Sequence, residues 1–275
     1  MTGPLVEAGS VMQSILSHQG AEVLLSFASD RGLLAFDFDG TLAPLVEDRN
    51  ATAMRNETRR LLRMVALLYP CAVISGRARE DVTRRLESVP LVGVVGNLGA
   101  EAGSGPLERS LREAVAQWGE RLRRRLADVE GIEVEEKGFS LALHYRQATR
   151  QQDTKDRILV AVDELEGAVA FEGHGVVNVA PARAPTKGDA LEALCRRLAV
   201  NLAAFVGDDV TDEEAFRSPV VRVGIRVGEA PDSAAQYFVT DQREVDALLR
   251  ALIVARLRAD GYKGSSEGVL RALKS

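Results

Sequence analysis

A short apolar run that ends abruptly in acidic residues constrains this chain more than any other feature. The run LLAF at 33–36 is followed by Asp37, Asp39 and the pair Gly40-Thr41, and further apolar runs along the chain also end in small or polar residues. Helical patterns, the first over residues 9–28, separate these runs. Buried strands that alternate with helices form parallel sheets. We therefore predict the α/β class, with a Rossmann-like parallel sheet as the core.

The middle of the chain breaks this alternation. A glycine-rich stretch at 101–106 precedes a charged helical pattern over 107–129, and two hairpin patterns follow at 132–146 and 169–181. Hairpins join antiparallel strands, which a purely parallel core does not contain. The sequence thus predicts a small α+β domain at 104–182, inserted into a core that is formed by residues 1–103 and 183–275.

Acidic residues follow two of the predicted core strands. Asp37 and Asp39 are two positions apart, so both side chains can point towards one site. Asp208 and Asp209 end the run AAFVGDD, and Asp212 follows at the start of a helix, where capping explains part of the pattern. Carboxyl ends of parallel strands meet at one sheet edge, where so many carboxylates repel unless a cation neutralises them. Oxygen ligands without a nearby histidine favour Mg²⁺.

Groups suited to holding an anion follow two further elements. The sequence VISGR supplies Ser75, Gly76 and Arg77 after a strand, and Lys187 stands just before a helix in APTKGDAL. The chain has 35 lysines and arginines in total, and nearly all are arginine. A lysine at this place therefore favours a functional ammonium group over a surface cap residue.

Four of these segments, in this order, resemble the motifs of the haloacid dehalogenase-like phosphatase superfamily: DFDGT, SGR, Lys187 and GDDVTD. Within that superfamily, the insert resembles the cap domain of the trehalose-6-phosphate phosphatases through EEKGFSLALHYR at 135–146. The resemblance implies that the protein hydrolyses trehalose 6-phosphate to trehalose and phosphate, with the cap setting substrate specificity.

The resemblance also implies roles for individual residues. Asp37 would attack phosphorus to form an aspartyl-phosphate, and Asp39 would protonate the leaving sugar oxygen and then activate water. Mg²⁺ would be held by Asp37, Asp39 through its backbone carbonyl, and Asp208, with Asp209 and Asp212 in support. The phosphoryl oxygens would be held by Thr41, Ser75, Gly76, Arg77 and Lys187.

The predicted sugar-binding residues of the insert match the family only in part. The matching positions are Glu135, Lys137, His144 and Arg146. His174 and Asn178 stand where the family usually has a lysine and a glutamate, and Leu98 replaces a histidine of the core. These departures concern the identity of the sugar more than the phosphatase chemistry.

Charge and composition limit the partners. The formal net charge of -5 argues against a nucleic-acid or membrane-surface protein, and we find no signal-peptide pattern and no membrane-spanning run. Cys71 and Cys195 lie in apolar contexts, which indicates two buried thiols. We expect a cytoplasmic monomer or weak oligomer with a small-molecule substrate. Two alternatives stay open: a phosphatase of another glycoside or pseudo-disaccharide phosphate, and a non-catalytic regulatory or binding domain.

Overall fold

The structure is a computed structural model that describes residues 12–46, 51–101, 106–173 and 175–264. His174, one of the predicted sugar-binding residues, lies outside the described residues. The chain divides into two compact units. The core unit consists of Met1–Gly99 and Thr186–Ser275, and the insert unit of Ala100–Pro185.

The described residues form alternating helices and strands in the core unit and a strand-rich arrangement in the insert unit. In chain order the elements are β1 (Gln13–Ser14), α1 (His18–Asp30), β2 (Leu33–Phe36), α2 (Asn56–Leu68), β3 (Cys71–Ile74), α3 (Arg79–Arg85), β4 (Gly93–Val95), α4 (Pro106–Arg125), β5 (Glu133–Glu136), β6 (Leu141–His144), α5 (Gln151–Asp163), β7 (Ala168–Gly173), β8 (Val176–Pro181), α6 (Lys187–Leu198), β9 (Ala203–Gly207), α7 (Glu213–Phe216), β10 (Val221–Val227), β11 (Tyr237–Val239) and α8 (Val245–Ala259).

The core unit contains a parallel sheet in the order β1-β11-β10-β9-β2-β3-β4. All residues of β2 and β3 are buried, as expected for apolar strands that are covered on both faces. From β2 the chain continues to β3 and β4 on one side, whereas β9, β10 and β11 lie on the other side. In open α/β sheets, ligands bind beyond the carboxyl ends of the strands at such a switch point. The predicted α/β class with a parallel central sheet is confirmed.

The first helix is shorter than the sequence predicted. Gln13 and Ser14 are extended and pair with β11, and α1 begins only at His18. The Ser17 side chain accepts a hydrogen bond from Gly20 N, which caps the helix there. The prediction of a helix from residue 9 is therefore wrong for the described residues before His18, because strand pairing and the serine cap take precedence over the apolar stripe.

The insert unit contains an antiparallel sheet in the order β5-β6-β8-β7. One face of this sheet carries fully buried side chains that pack with residues of α4 and α5, such as Trp118 and Ile158; the strand residues are Leu141, Leu143, Val177 and Val179. Alternate positions of the strands form the opposite face. Both hairpins that the sequence predicted are present.

Cys71 and Cys195 are both buried and unpaired. Burial raises the pKa of the Cys71 thiol, so the thiol stays neutral. Across the described ranges, no helix has the length and apolar character needed to cross a membrane.

Candidate active site

Three carboxylates meet at the carboxyl ends of the two central strands β2 and β9. Asp37 directly follows β2, and its backbone N donates to Val206 O of β9 at 2.8 Å. Asp208 directly follows β9. Carboxylate oxygens of Asp37, Asp208 and Asp212 lie within 4.8 Å of one another. The sheet topology therefore brings together acids that are more than 150 residues apart in sequence, and it does so at the switch point.

A buried lysine joins two of these acids. Lys187 Nζ donates to Asp37 Oδ1 at 2.8 Å and to Asp212 Oδ1 at 2.6 Å. A capping box between Thr186 and Asp189 starts α6 at this lysine. Burial lowers the pKa of Lys187, but the two carboxylates outweigh burial and raise the pKa above its ordinary value. Lys187 therefore places a permanent positive charge beside Asp37.

Asp212 holds the loop that follows β9. Its side chain is fully buried, and Oδ2 accepts from the backbone N of Asp208 at 3.0 Å and of Asp209 at 2.9 Å. Asp209 is exposed, and its Oδ1 accepts from Val210 N at 2.7 Å. Both acids thus cap the turn, as the sequence indicated for this segment, and Asp212 also fixes the position of Lys187.

The electrostatics of the cluster favour a bound cation. Burial raises the pKa of Asp37 to about 7; the nearby Lys187 opposes this rise and Asp212 adds to it. Burial, and then Asp212, raise the pKa of Asp208 to about 6. Both shifts mean that the folded protein resists a further negative charge at this place. Several carboxylate oxygens converge here, which is the donor set that suits Mg²⁺.

The turn after β2 approaches this cluster closely. The Thr41 side chain is fully buried, and its Oγ1 donates to Asp208 Oδ1 at 3.2 Å. Gly40 adopts φ +78°, and a Cβ atom there would overlap the Asp208 carboxylate. The glycine of DFDGT is therefore required both for its left-handed backbone and for space.

The segment after β3 places Arg77 against two acids. Arg77 Nε and Nη2 donate to Asp39 at 2.7 Å each, and Nη1 donates to Asp81 at 2.9 Å. The buried Ser75 hydroxyl oxygen accepts from Arg77 N at 3.1 Å. The resemblance assigned Arg77 to the phosphoryl group, whereas in the structure its guanidinium contacts carboxylates. Sequence reasoning missed Asp81, although an arginine and an aspartate four residues apart are a recognisable pairing signal.

Leu98 lies beside the SGR segment. It has φ 59°, a left-handed conformation that a leucine rarely adopts, and the preceding Asn97 has φ 48°. A Cβ atom built on Gly76 would lie 3.3 Å from Leu98 Cδ2. The side chain at this position, where the family usually has histidine, therefore covers the glycine of SGR.

A charged cluster lies on the second face of the insert sheet, opposite the face that carries Leu141 and Leu143. His144 Nε2 lies 2.9 Å from Glu135 Oε2, and Lys137 Nζ lies 3.7 Å from the same oxygen. The hydrogen bond from His144, followed by the charge of Lys137, holds the pKa of Glu135 below its usual value. Glu135 is therefore an ionised carboxylate between two cationic or hydrogen-bonding partners.

Strand register places Asn178 and an exposed phenylalanine on this same face. Glu135 is opposite Ala142, Ala142 is opposite Asn178, and Asn178 is opposite Phe171. The Phe171 side chain is 56% exposed. Sequence reasoning missed Phe171, although strand alternation would have indicated its face. Arg146 lies beyond β6, where it lines a cavity with Gln151 and Lys155.

The fold and the acidic strand ends define a class of protein. The structure resembles Aspergillus fumigatus trehalose-6-phosphate phosphatase, with a TM-score of 0.64 and 20% sequence identity, over 86% of this chain and 97% of that chain. It also resembles a phosphatase of the haloalkanoate superfamily from Bacteroides thetaiotaomicron, with a TM-score of 0.57 and 16% identity, over 82% and 96% of the two chains. The chain thus has the haloacid dehalogenase-like fold of these phosphatases.

Sequence relatives identify the family within this class. The trehalose-phosphatase family model matches residues 35–242. Probable trehalose-phosphate phosphatase 9 of Oryza sativa subsp. japonica is 31% identical over 84% of this chain and 72% of the relative. Trehalose 6-phosphate phosphatase RA3 of Zea mays is 30% identical over 84% and 72%. The chain belongs to the trehalose-phosphatase family, as the sequence motifs predicted.

Proposed function

We propose that this protein hydrolyses trehalose 6-phosphate to trehalose and phosphate, with Mg²⁺ and an aspartyl-phosphate intermediate. The observation that carries the proposal is the contact of a buried ammonium, Lys187, with the carboxylate of Asp37 at 2.8 Å beside Asp208. Asp37 belongs to the acidic cluster and directly follows β2. A phosphoryl group placed there would meet a nucleophile and a fixed positive charge together.

The residues that would hold Mg²⁺ are Asp37, the backbone carbonyl of Asp39, and Asp208, with Asp212 fixing the loop around them. Carboxylate and carbonyl oxygens fit this ion, and the raised pKa values of Asp37 and Asp208 support a need for positive charge. When bound, the ion would neutralise negative charge on the phosphoryl group and keep both carboxylates ionised.

The proposed reaction has two steps, transfer of the phosphoryl group to Asp37 and hydrolysis of the aspartyl-phosphate. A carboxylate oxygen of Asp37 forms a bond to phosphorus, the bond from phosphorus to the sugar oxygen breaks, and Asp39 gives that oxygen a proton. A water molecule then attacks phosphorus, the bond to Asp37 breaks, and the water proton passes to Asp39. Lys187, Thr41 and Ser75 would hold the phosphoryl oxygens, together with the backbone at Gly76.

Two observations support a disaccharide as the substrate: the names of the relatives and the residues on the second face of the insert sheet. Charged partners strengthen hydrogen bonds to sugar hydroxyls, and the Glu135 cluster offers such partners. Asn178 offers an amide on the same face, and Phe171 offers an apolar surface for a sugar ring. His174 and Arg146 complete the residues that we assign to sugar binding.

A second candidate substrate is another glycoside or pseudo-disaccharide phosphate. Asn178 lacks the charge of the glutamate that is usual in the family, and Leu98 replaces a histidine next to Gly76. Loss of one charge-assisted hydrogen bond costs about 1–2 kcal/mol, which is roughly a tenfold change in discrimination. The chemistry at phosphorus would be the same for either substrate.

Phosphate release from a panel of esters tests the proposal. The panel contains trehalose 6-phosphate, sucrose 6-phosphate, glucose 6-phosphate, a pseudo-disaccharide phosphate and p-nitrophenyl phosphate, each with Mg²⁺ and with EDTA. We expect Mg²⁺-dependent turnover and the highest kcat/KM for trehalose 6-phosphate. Full activity in EDTA would contradict the metal assignment, preference for another sugar would move the substrate to the second candidate, and no turnover of any ester would favour a non-catalytic role.

A further inference from the structure

The carboxylate of Asp39 is held in a fixed plane by a two-armed contact. Arg77 Nε lies 2.7 Å from Asp39 Oδ2, and Arg77 Nη2 lies 2.7 Å from Asp39 Oδ1. The Arg77 side chain is only 4% exposed, and its guanidinium lies 5.9 Å from the centre of the Phe38 ring. A planar fork of this kind fixes both the position and the rotation of a carboxylate, which a single ammonium does not do.

The arginine is itself anchored at its other end. Arg77 Nη1 donates to Asp81 Oδ2 at 2.9 Å. Both carboxylate oxygens of Asp81 also accept from Arg85 Nε, each at 3.1 Å. Asp81 and Arg85 belong to α3, so the helix holds the acid that holds Arg77. The chain Asp39–Arg77–Asp81 therefore ties the loop after β2 to a regular element of the core unit.

We propose that Arg77 is a positioning residue for Asp39 and acts on the reaction through Asp39. This inference rests on the proposed function, in which Asp39 delivers one proton to the leaving sugar oxygen and later takes one from water. Proton transfer needs the donor oxygen at hydrogen-bond distance and in line with the acceptor. With two arms, Arg77 keeps hold of one oxygen of Asp39 while the other oxygen carries the proton.

This role differs from that of a phosphate ligand. Each of the three guanidinium nitrogens of Arg77 donates to a carboxylate, two to Asp39 and one to Asp81. The ammonium group of Lys187, by contrast, donates to Asp37, whose carboxylate would attack phosphorus. Lys187 and Arg77 thus serve different parts of the reaction. Lys187 acts on the transfer of the phosphoryl group, and Arg77 acts on the transfer of the proton.

Substrates with different leaving groups separate the two roles. A sugar oxygen leaves only if it gains a proton, whereas p-nitrophenolate is a stable anion that leaves without one. The value of kcat/KM covers all steps up to formation of the aspartyl-phosphate. Arg77→Lys keeps a positive charge but removes the fork. We expect kcat/KM for the best sugar phosphate to fall at least about tenfold more than kcat/KM for p-nitrophenyl phosphate, since a well-placed acid contributes about 10²–10⁴-fold.

Two further variants and one binding measurement complete the test. Asp81→Asn loosens the anchor of Arg77 and should give a smaller loss of kcat/KM with the same leaving-group dependence. This variant also tests the inference if Arg77→Lys does not fold. Arg85→Lys is the matched control, because Arg85 contacts Asp81 but none of its contacts described above is to Asp39; the ratio of the two kcat/KM values should not change. Inhibition by inorganic phosphate should be the same in Arg77→Lys as in the parent.

Equal losses on both esters, together with weaker phosphate inhibition, would overturn the inference and make Arg77 a phosphate ligand. That outcome would leave the proposed function intact, because the parent would still hydrolyse both esters. If the parent hydrolyses no ester, the proposed function itself fails. Circular dichroism and thermal unfolding of each variant show whether a loss of activity reflects the site or the fold.

Discussion

Replacing Asp208 by asparagine removes one negative charge from the acidic cluster and keeps an oxygen that accepts the hydrogen bond from Thr41. Burial and Asp212 raise the pKa of Asp208 from 3.8 to about 6. A shift of this size means that ionised Asp208 costs the folded state about 3 kcal/mol. We expect Asp208→Asn to be about 2–3 kcal/mol more stable than the parent in EDTA at pH 8, and inactive with Mg²⁺.

The pH dependence of this gain has a definite sign. Because the folded-state pKa of Asp208 lies above the unfolded-state value, the folded parent binds the proton more tightly, and the parent loses stability as pH rises from about 4 to about 6. The asparagine has no proton to lose. The stability difference should therefore be largest at pH 8 and should shrink as the pH falls towards 5.

Urea denaturation, followed by circular dichroism at pH 5 and pH 8, measures this difference. The thermal midpoint should rise by roughly 5–10 °C at pH 8, at about 2–4 °C per kcal/mol for a protein of this size. Asp209→Asn is the matched control, since Asp209 is exposed and asparagine also caps a turn. Mg²⁺ should stabilise the parent but not Asp208→Asn. Equal stability of parent and variant in EDTA at pH 8 would refute the reasoning.

Three further predictions address the nucleophile and the sugar face. Asp37→Asn should lose nearly all turnover, because an amide does not attack phosphorus. Rapid quench of the parent protein with labelled substrate should place the label on Asp37. Turnover without labelled protein would exclude the covalent route. Lys137→Ala should raise KM for trehalose 6-phosphate about tenfold and leave p-nitrophenyl phosphate unchanged, and equal effects on both would place Lys137 outside sugar binding. Asn178→Glu should change the preference among disaccharide phosphates, whereas Phe171→Ala should weaken the binding of all of them alike. Steady-state kinetics on the substrate panel would show either pattern. Unchanged kinetics in both variants would contradict the assignment of this face to sugar binding.

The sequence by itself indicated the class of the fold and where its acids stand. Apolar runs between helical patterns are sufficient to predict a parallel sheet, because a strand that is buried on both faces has no need of polar alternation. Acids that directly follow such runs must lie at one sheet edge, whatever the strand order. The motifs around Asp37 and Asp208 predicted the family for this reason, since they are local and do not depend on distant contacts.

Only the tertiary structure decided which partner each charged group takes. Arg77 donates hydrogen bonds to Asp39 and Asp81, whereas the sequence motif had assigned it to the phosphoryl group. Lys187 bridges Asp37 and Asp212. Such pairings depend on distances between side chains from separate loops, and a linear pattern contains no information about those distances. The same holds for the start of α1 and for the exposed face of Phe171: strand pairing with β11 fixes the first, and register across the insert sheet fixes the second.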